Sequence, residues 1–215
     1  MNIKVNLNIF FFLVLFFITN QIELYALIML FALIHEIGHL LCGVLLGFEV
    51  ENFRIMPLGF SIEFKIDIND YNKKILKSNK VIVKKLLINI AGPIVNIIII
   101  LLSLLMNWED NILYSNLLIL VFNLIPIYPL DGGRIIKNLL KICIGNKKAY
   151  FYQNKVSNFF TVIITVISSI AIYYYKNIAI LIALVFIWAL VIKENKRYNL
   201  YCRVNKIIDK QAFYI

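Results

Sequence analysis

The chain has 215 residues, of which 61% are hydrophobic and 16% charged, with 22 Lys and Arg against 12 Asp and Glu. Soluble domains carry about 25% charged residues and could not bury so much apolar surface at this length. The composition therefore excludes an ordinary soluble domain and indicates an integral membrane protein. Its apolar runs are long and lack the strand alternation of a membrane barrel, so the spanning segments are predicted to be helices.

Six apolar runs predict six transmembrane helices in one membrane domain of residues 1–193. The runs cover residues 5–19, 24–48, 81–106, 112–130, 158–175 and 178–192. The first run is short for a span, and a signal peptide is its alternative interpretation. Only Lys4 precedes it and no small-residue cleavage site follows it, which favours a helix. The predicted fold class is therefore an all-α polytopic membrane protein.

Lys and Arg alternate between the connections of these six segments. Eight lie in residues 47–85, six in residues 131–157 and six in residues 193–215, whereas the alternate connections hold none or, in the last, only Lys176. Because basic loops remain on the cytoplasmic side, both termini are expected in the cytoplasm. Residues 194–215 are expected to form a short basic cytoplasmic tail. The net charge of +10 is thereby attributed to loop orientation and not to nucleic-acid binding.

A short stretch after the second apolar run has the period of a strand. Apolar residues at 60, 62, 64 and 66 alternate with polar residues at 61, 63, 65 and 67, which predicts a strand. Residues 48–55 are its expected partner, with Pro57 and Gly59 in the turn. The result is an interfacial β-hairpin of about residues 48–67. It is either a structural flap or an open edge that takes an extended peptide by strand addition.

Residues 35–39 read HEIGH within the second apolar run. On a helix, His35 and His39 lie one turn apart on the same face, so that they can hold one Zn²⁺. Glu36 lies beside the first ligand, where it can accept the proton of a water activated by the ion. The alternative is a buried His pair bonded to carbonyls with Glu36 as its partner. Because ionisable groups inside a spanning helix are costly and mark function, the metal site is favoured.

A third zinc ligand is expected, because catalytic zinc usually takes three protein ligands and the chain has no third His. Among the acidic residues, only Asp131 ends an apolar run on the same side as the His pair. Pro126 and Pro129 break the preceding helix, which lets the chain fold inward. Asp131 could instead cap the helix that follows it. Cys42 is a rival ligand, but it would lie too far along the straight helix of His39.

Three motifs together carry a family resemblance: HEIGH at residues 35–39, AGPIVN at residues 91–96 and NLIPIYPLDGGR at residues 123–134. In this order they resemble the site-2 protease family of intramembrane zinc metalloproteases, closest to the branch of stage IV sporulation protein FB. The resemblance implies that His35, His39 and Asp131 bind Zn²⁺ and that Glu36 is the catalytic base. It implies further that Asn123 and Asn96 contact substrate. A hydrogen bond between helices is an equal alternative for Asn123.

The resemblance also implies a function and a location. The protein would cleave a membrane-associated protein in a bacterial cell membrane, and in the sporulation branch this substrate is a pro-sigma factor held in check by membrane regulatory proteins. The chain departs from relatives with PDZ or CBS domains, because about 22 residues after the last run are fewer than the roughly 50 of a domain. The alternatives are a metal-binding membrane transporter and a non-catalytic, client-binding relative. A transporter would carry ionisable residues along several spans, whereas here they cluster at one place.

Overall fold

The computed structural model describes residues 2–56, 59–65, 75–176 and 178–211. The chain forms two compact units, Met1–Leu124 and Ile125–Ile215. Four residues of the predicted hairpin, Pro57, Leu58, Ile66 and Asp67, lie outside the described residues.

The first unit combines a small sheet with four helices. Along the chain these elements are β1 (Asn2–Val5), α1 (Asn8–Ile18), α2 (Ile22–Leu45), β2 (Val50–Met56), β3 (Gly59–Phe64), α3 (Ile75–Leu105) and α4 (Asp110–Leu124).

The predicted hairpin is present, and it is part of a three-stranded sheet of order β1-β2-β3. β2 and β3 are antiparallel, and the rings of Phe53 and Phe60 stack across them at 5.7 Å. Arg54 pairs with Glu63 at 2.9 Å on these same two strands. The third strand was not predicted: β1 runs parallel to β2, with Val5 opposite Ile55. The expectation of a helix starting at residue 5 is therefore wrong.

α1 begins three residues later and has 11 residues, against the roughly 20 needed to span a bilayer. The apolar run of residues 5–19 is thus divided between a strand and a short helix. The sequence did not reveal the division, because a short continuous apolar run has no periodicity that separates a strand from a helix.

Glycines allow α2 to approach its neighbours closely. A β-carbon at Gly38 would lie 2.7 Å from Val95 Cγ2 and 3.2 Å from the Ala91 carbonyl oxygen on α3. A β-carbon at Gly43 would overlap the ring of Phe64 on β3. α2 therefore packs closely against both a helix and the sheet.

The second unit consists of three helices, α5 (Asp131–Ile144), α6 (Asn146–Tyr175) and α7 (Ile178–Gln211). The predicted proline break is present, because α4 ends at Leu124 and residues 125–130 are non-helical, with a cis Tyr128–Pro129 peptide bond. α6 and α7 are longer than the apolar runs at residues 158–175 and 178–192. Their polar extensions stay helical because Lys, Arg, Glu and Gln are good helix formers.

Three helices of the described chain are long and apolar enough to cross a membrane: Ile22–Leu45, Asn79–Leu105 and Asn146–Tyr174. Asp110–Leu124 is apolar but shorter. The predicted count of six spans is therefore not confirmed by helix length in these residues. α5 points Leu139 and Ile142 outward while Lys137 and Asn138 are buried. An outer surface that is apolar in this way fits a lipid surrounding and not water.

Candidate functional site

The two histidines of HEIGH meet on one face of α2 in the first unit. Their exposed fractions are 3% for His35 and 4% for His39. The two Nε2 atoms lie 3.1 Å apart, and the ring planes are nearly perpendicular. The one-turn spacing therefore produces the convergence of imidazole nitrogens that the sequence predicted.

The Nδ1 atom of each histidine is bound to an acceptor on α3. His39 Nδ1 lies 2.6 Å from the carbonyl oxygen of Ile88, and a carbonyl oxygen only accepts, so Nδ1–H is the donor. The Gly92 N–H also lies 3.3 Å from this nitrogen, but the shorter carbonyl contact decides the tautomer. The Nε2 atom of His39 consequently carries the lone pair.

His35 is oriented by a side chain instead. Its Nδ1 lies 2.5 Å from Asn96 Oδ1, and Asn96 Nδ2 donates to Asn116 Oδ1 at 3.1 Å. Because this amide turns its oxygen toward the ring, the His35 Nδ1–H donates to it. Both Nε2 lone pairs then point to the same place.

This arrangement fits a tetrahedral metal ion. Zinc–nitrogen bonds of about 2.0–2.1 Å at a tetrahedral angle separate two nitrogens by roughly 3.3 Å, close to the 3.1 Å between the two Nε2 atoms. Two lone pairs at this distance repel each other unless a positive centre lies between them. A β-carbon at Gly92 on α3 would overlap both Nε2 atoms, so the absent side chain leaves the room that an ion needs.

Glu36 is buried at 7% exposure, and its Oε1 accepts the backbone N–H of Ile62 at 2.6 Å. Ile62 lies on β3, opposite Phe53 of β2. Its N–H therefore points away from the hairpin and toward α2. The carboxylate neighbouring the His pair is thus held at the edge strand of the sheet, so that a proton acceptor lies beside β3.

The two predicted asparagines occupy different surroundings. Asn123 on α4 places its Nδ2 3.5 Å from His35 Nε2, at the metal-facing nitrogen. Asn96 is fully buried, with its amide between His35 and Asn116. Substrate contact by either residue stays a prediction.

Asp131 is the first residue of α5 in the second unit, at 5% exposure, with Arg134 Nη1 3.8 Å from its carboxylate. Leu130 occupies the N-cap position, and its side chain forms no cap hydrogen bond. The role of Asp131 as the third ligand stays a prediction, and so does the exclusion of Cys42, a free thiol of intermediate burial.

The loop that leads to Asp131 is anchored within the second unit. The Tyr128 N–H donates to Ser157 Oγ on α6 at 3.0 Å. Lys137 Nζ lies 3.9 Å from the centroid of the Tyr128 ring and 3.5 Å from that of Tyr150. Burial lowers the pKa of Lys137 to about 7, with repulsion from Lys141 adding to this and Glu194 opposing it. The two ring faces stabilise the ammonium form and so also oppose the effect of burial.

Sequence reasoning missed three groups of the site: the Ile88 carbonyl, the Ile62 N–H and Asn116. The first two are backbone groups, which leave no mark in the side-chain pattern. Asn116 had a signal, since a polar amide in an apolar helix needs a partner. Nothing in its spacing pointed to Asn96, 20 positions earlier.

Comparisons with known proteins agree with the motifs. The sequence model of Peptidase family M50 matches residues 23–112 and 111–168. The chain is 31% identical over 145 residues to Zinc metalloprotease MJ0392 of Methanocaldococcus jannaschii, covering 62% of this chain and 38% of that protein. It is 26% identical over 149 residues to Stage IV sporulation protein FB of Bacillus subtilis, covering 65% and 48%. The chain thus spans less than half the length of either curated relative.

A solved structure has a similar fold. The Site-2 Protease from Methanocaldococcus jannaschii matches with a TM-score of 0.65 at 23% identity, covering 89% of each chain. The resemblance that the three motifs carried is confirmed by the family match.

The Gly92→Ala substitution is expected to remove bound metal, because the added methyl would overlap both Nε2 atoms. Metal content, measured by elemental analysis of monodisperse protein in detergent, should fall from about one ion per chain to almost none. Ile98→Ala is the control, since it shortens an exposed side chain of the same helix. Equal metal content in Gly92→Ala and the unmodified chain would contradict the site.

Lys137 is expected to make stability depend on pH. Its pKa is about 7 in the folded protein and about 10.4 unfolded, so the unfolded state binds more protons between these values. Stability should therefore rise with pH across that window. Lys137→Met should flatten this slope in thermal unfolding from about pH 7 to about pH 9.5. Lys155→Met, which removes an exposed lysine of α6, should leave it unchanged. The same slope in all three proteins would refute the role of Lys137.

Proposed function

We propose that this chain, which belongs to peptidase family M50, is a zinc-dependent intramembrane protease that cleaves membrane-associated proteins. Metalloproteases of this family use zinc. The observation that carries the proposal is the buried His35–His39 pair, whose Nδ1 atoms both donate and whose Nε2 atoms lie 3.1 Å apart. A pair prepared in this way suits a metal ion better than hydrogen bonding between the rings.

Each site residue has a proposed role. His35, His39 and Asp131 hold the ion, in the two-His, one-carboxylate set of a catalytic zinc site with one position open. When bound, zinc supplies a Lewis acid that polarises the scissile carbonyl and acidifies water. Glu36 accepts the proton from that water and returns it to the leaving amine. Asn123, whose Nδ2 lies beside His35 Nε2, donates a hydrogen bond to substrate.

The edge of β3 is proposed to bind the substrate in an extended form. A helical substrate hides its carbonyls in its own hydrogen bonds, so it must unwind before it is cut. β3 lies at the edge of the described sheet, and the Ile62 N–H on that edge already bonds Glu36. Because alternate residues of a strand direct their backbone groups to the same side, Phe60 and Phe64 offer theirs to the same peptide.

The finer identity of the substrate rests on one relative. Similarity to Stage IV sporulation protein FB supports a membrane-tethered sporulation pro-sigma factor or another precursor of a transcription regulator. It also supports control by membrane regulatory proteins. We further propose six spans with both termini in the cytoplasm of a bacterial cell. The alternation of basic connections supports this arrangement.

Glu36→Gln is expected to abolish cleavage while leaving the fold intact, because the amide cannot accept the proton of water. Co-expression with tagged membrane-tethered precursors from the same genome, the pro-sigma factor among them, should yield a shortened product only with an intact Glu36. The rate should fall by roughly 10²–10⁴-fold. Glu23→Gln, an exposed carboxylate of the same helix, should cleave normally.

Equal product from Glu36→Gln and the unmodified chain would contradict the role of the carboxylate. Biological activity that survives Glu36→Gln without any cleavage would favour the client-binding or metal-transport alternatives.

The topology is tested by single cysteines in a chain whose native cysteines, Cys42, Cys143 and Cys202, are replaced by Ala. A cysteine at the exposed Lys65 should react with a membrane-impermeant maleimide only in inverted vesicles. A cysteine at the exposed Glu109 should react in intact spheroplasts. Labelling of both from the same side would contradict the arrangement of spans.

A further inference from the structure

We propose that Asn116 is a positioning residue that fixes the imidazole tautomer of His35 through Asn96. This inference rests on the proposed function, because it concerns the same metal site, and it assigns a role to a residue outside the three family motifs.

The relay begins at a group that can act in only one way. The carbonyl oxygen of Ile112 accepts a hydrogen bond from Asn116 Nδ2 at 2.9 Å, and a carbonyl oxygen cannot donate. The amino group of Asn116 must therefore face Ile112. Its Oδ1 must face the other way, toward Asn96.

The same logic passes through Asn96 to the histidine. Asn116 Oδ1 accepts from Asn96 Nδ2 at 3.1 Å, which turns Asn96 Oδ1 toward His35 Nδ1 at 2.5 Å. This oxygen accepts only, so the ring proton lies on Nδ1 and the lone pair on Nε2. Asn96 and Asn116 both have an exposed fraction of 0%. Solvent therefore does not replace a lost partner in this relay.

Asn96 alone would not specify the tautomer. An amide rotated by a half turn would present Nδ2 to His35 Nδ1 and would favour the ring proton on Nε2, which faces His39. A protonated Nε2 cannot bind a metal ion. His39 has no such ambiguity, because its acceptor is the Ile88 backbone carbonyl. Asn116 thus fixes the tautomer of His35, as the Ile88 backbone carbonyl fixes that of His39.

The test uses the fact that the chain has two histidines. Full-length metal-free protein labelled with ¹⁵N-histidine gives four ring nitrogens, and their chemical shifts separate N–H from bare nitrogen. In the unmodified chain both histidines should be in the Nδ1–H form. Asn116→Leu should convert His35 to a mixture of tautomers, while His39 serves as the control in the same sample.

Zinc affinity is the second readout, measured by competition with a chelator. Partners of metal-ligating histidines typically affect affinity by about 10–100-fold, and a residue one step further away should lie at the lower end, about tenfold. Asn116→Leu should weaken binding to that extent. Should this variant not fold, Asn116→Ala, which leaves room instead of an apolar side chain, tests the same loss.

Two matched variants separate the relay from general packing. Ser115→Ala removes a buried hydroxyl at the neighbouring position of the same helix and should change neither readout. Asn116→Asp should retain the Nδ1–H form of His35, since a protonated carboxyl can donate to Ile112 and accept from Asn96. The proposal is overturned if His35 keeps its tautomer and zinc affinity in Asn116→Leu or Asn116→Ala, or if Ser115→Ala has the same effect.

Neither readout depends on proteolysis. A tautomer change at His35 in a chain that cleaves nothing would support the relay and count against the protease. Cleavage without any tautomer change would refute the relay alone.

Discussion

The imidazole donors of His35 and His39 must be satisfied inside a nearly waterless interior, and this requirement organises the first unit. An unsatisfied polar group in such surroundings costs several kcal/mol. Both Nδ1–H groups find their acceptors on α3, so α3 has to lie close to α2. Gly38 and Gly92 permit that approach. Because each Nδ1–H is directed to an acceptor on α3, the Nε2 lone pairs of the two rings are directed to one shared place.

The same requirement joins the sheet to the site. Glu36 is buried on α2, and its carboxylate is bonded by the Ile62 N–H. The ring of Phe64 fills the space above Gly43, about two helical turns further along. A backbone amide at a strand edge would otherwise need water or another strand. The Ile62 N–H therefore satisfies the buried carboxylate, and the carboxylate satisfies a backbone donor at the strand edge. A peptide that added to this edge would lie beside Glu36.

The sequence predicted the features whose cause is local. The one-turn spacing of His35 and His39, the alternation around Ile62 and the break at Pro126 each follow from a short-range rule, and all three are present. The strand of residues 2–5 was missed, and residue 5 was assigned to a helix, because a four-residue strand is too short to show a period. Its stabilising partner, β2, lies about 50 positions later. A contact at that separation leaves no local pattern.

The helix ends and the asparagine relay were beyond sequence reasoning for different reasons. α7 continues past residue 192 because hydropathy marks where a membrane ends and not where a helix ends. Asn96 lies in the AGPIVN motif, and the family resemblance implied substrate contact for it. The structure adds that its amide lies between His35 and Asn116. Which end of an amide faces a ring depends on a third residue, and that information exists only in three dimensions.

In the second unit, side-chain hydroxyls supply hydrogen-bond partners in apolar surroundings. On α6, Thr161, Thr165 and Ser169 each donate to the carbonyl one turn earlier, at 2.7, 2.8 and 2.7 Å. Such bonds satisfy the hydroxyl donor locally and leave the oxygen lone pairs for other elements. Thr165 Oγ1 accepts the indole N–H of Trp188 on α7 at 3.0 Å. Where apolar packing gives little preference between protein and lipid, these acceptors give the helices a specific contact.

On the same helix, α6, Ser157 Oγ accepts the Tyr128 N–H. The loop of residues 125–130 has few donors with which to hold itself, because Pro126 and Pro129 lack an N–H. The Tyr128 N–H between them is therefore a scarce donor, and it is directed to a buried hydroxyl on α6. A β-carbon at Gly133 would overlap the backbone of Ile127 and Tyr128, so α5 also begins directly against this loop. In the chain, Asp131 lies between these two anchors, at Tyr128 and Gly133.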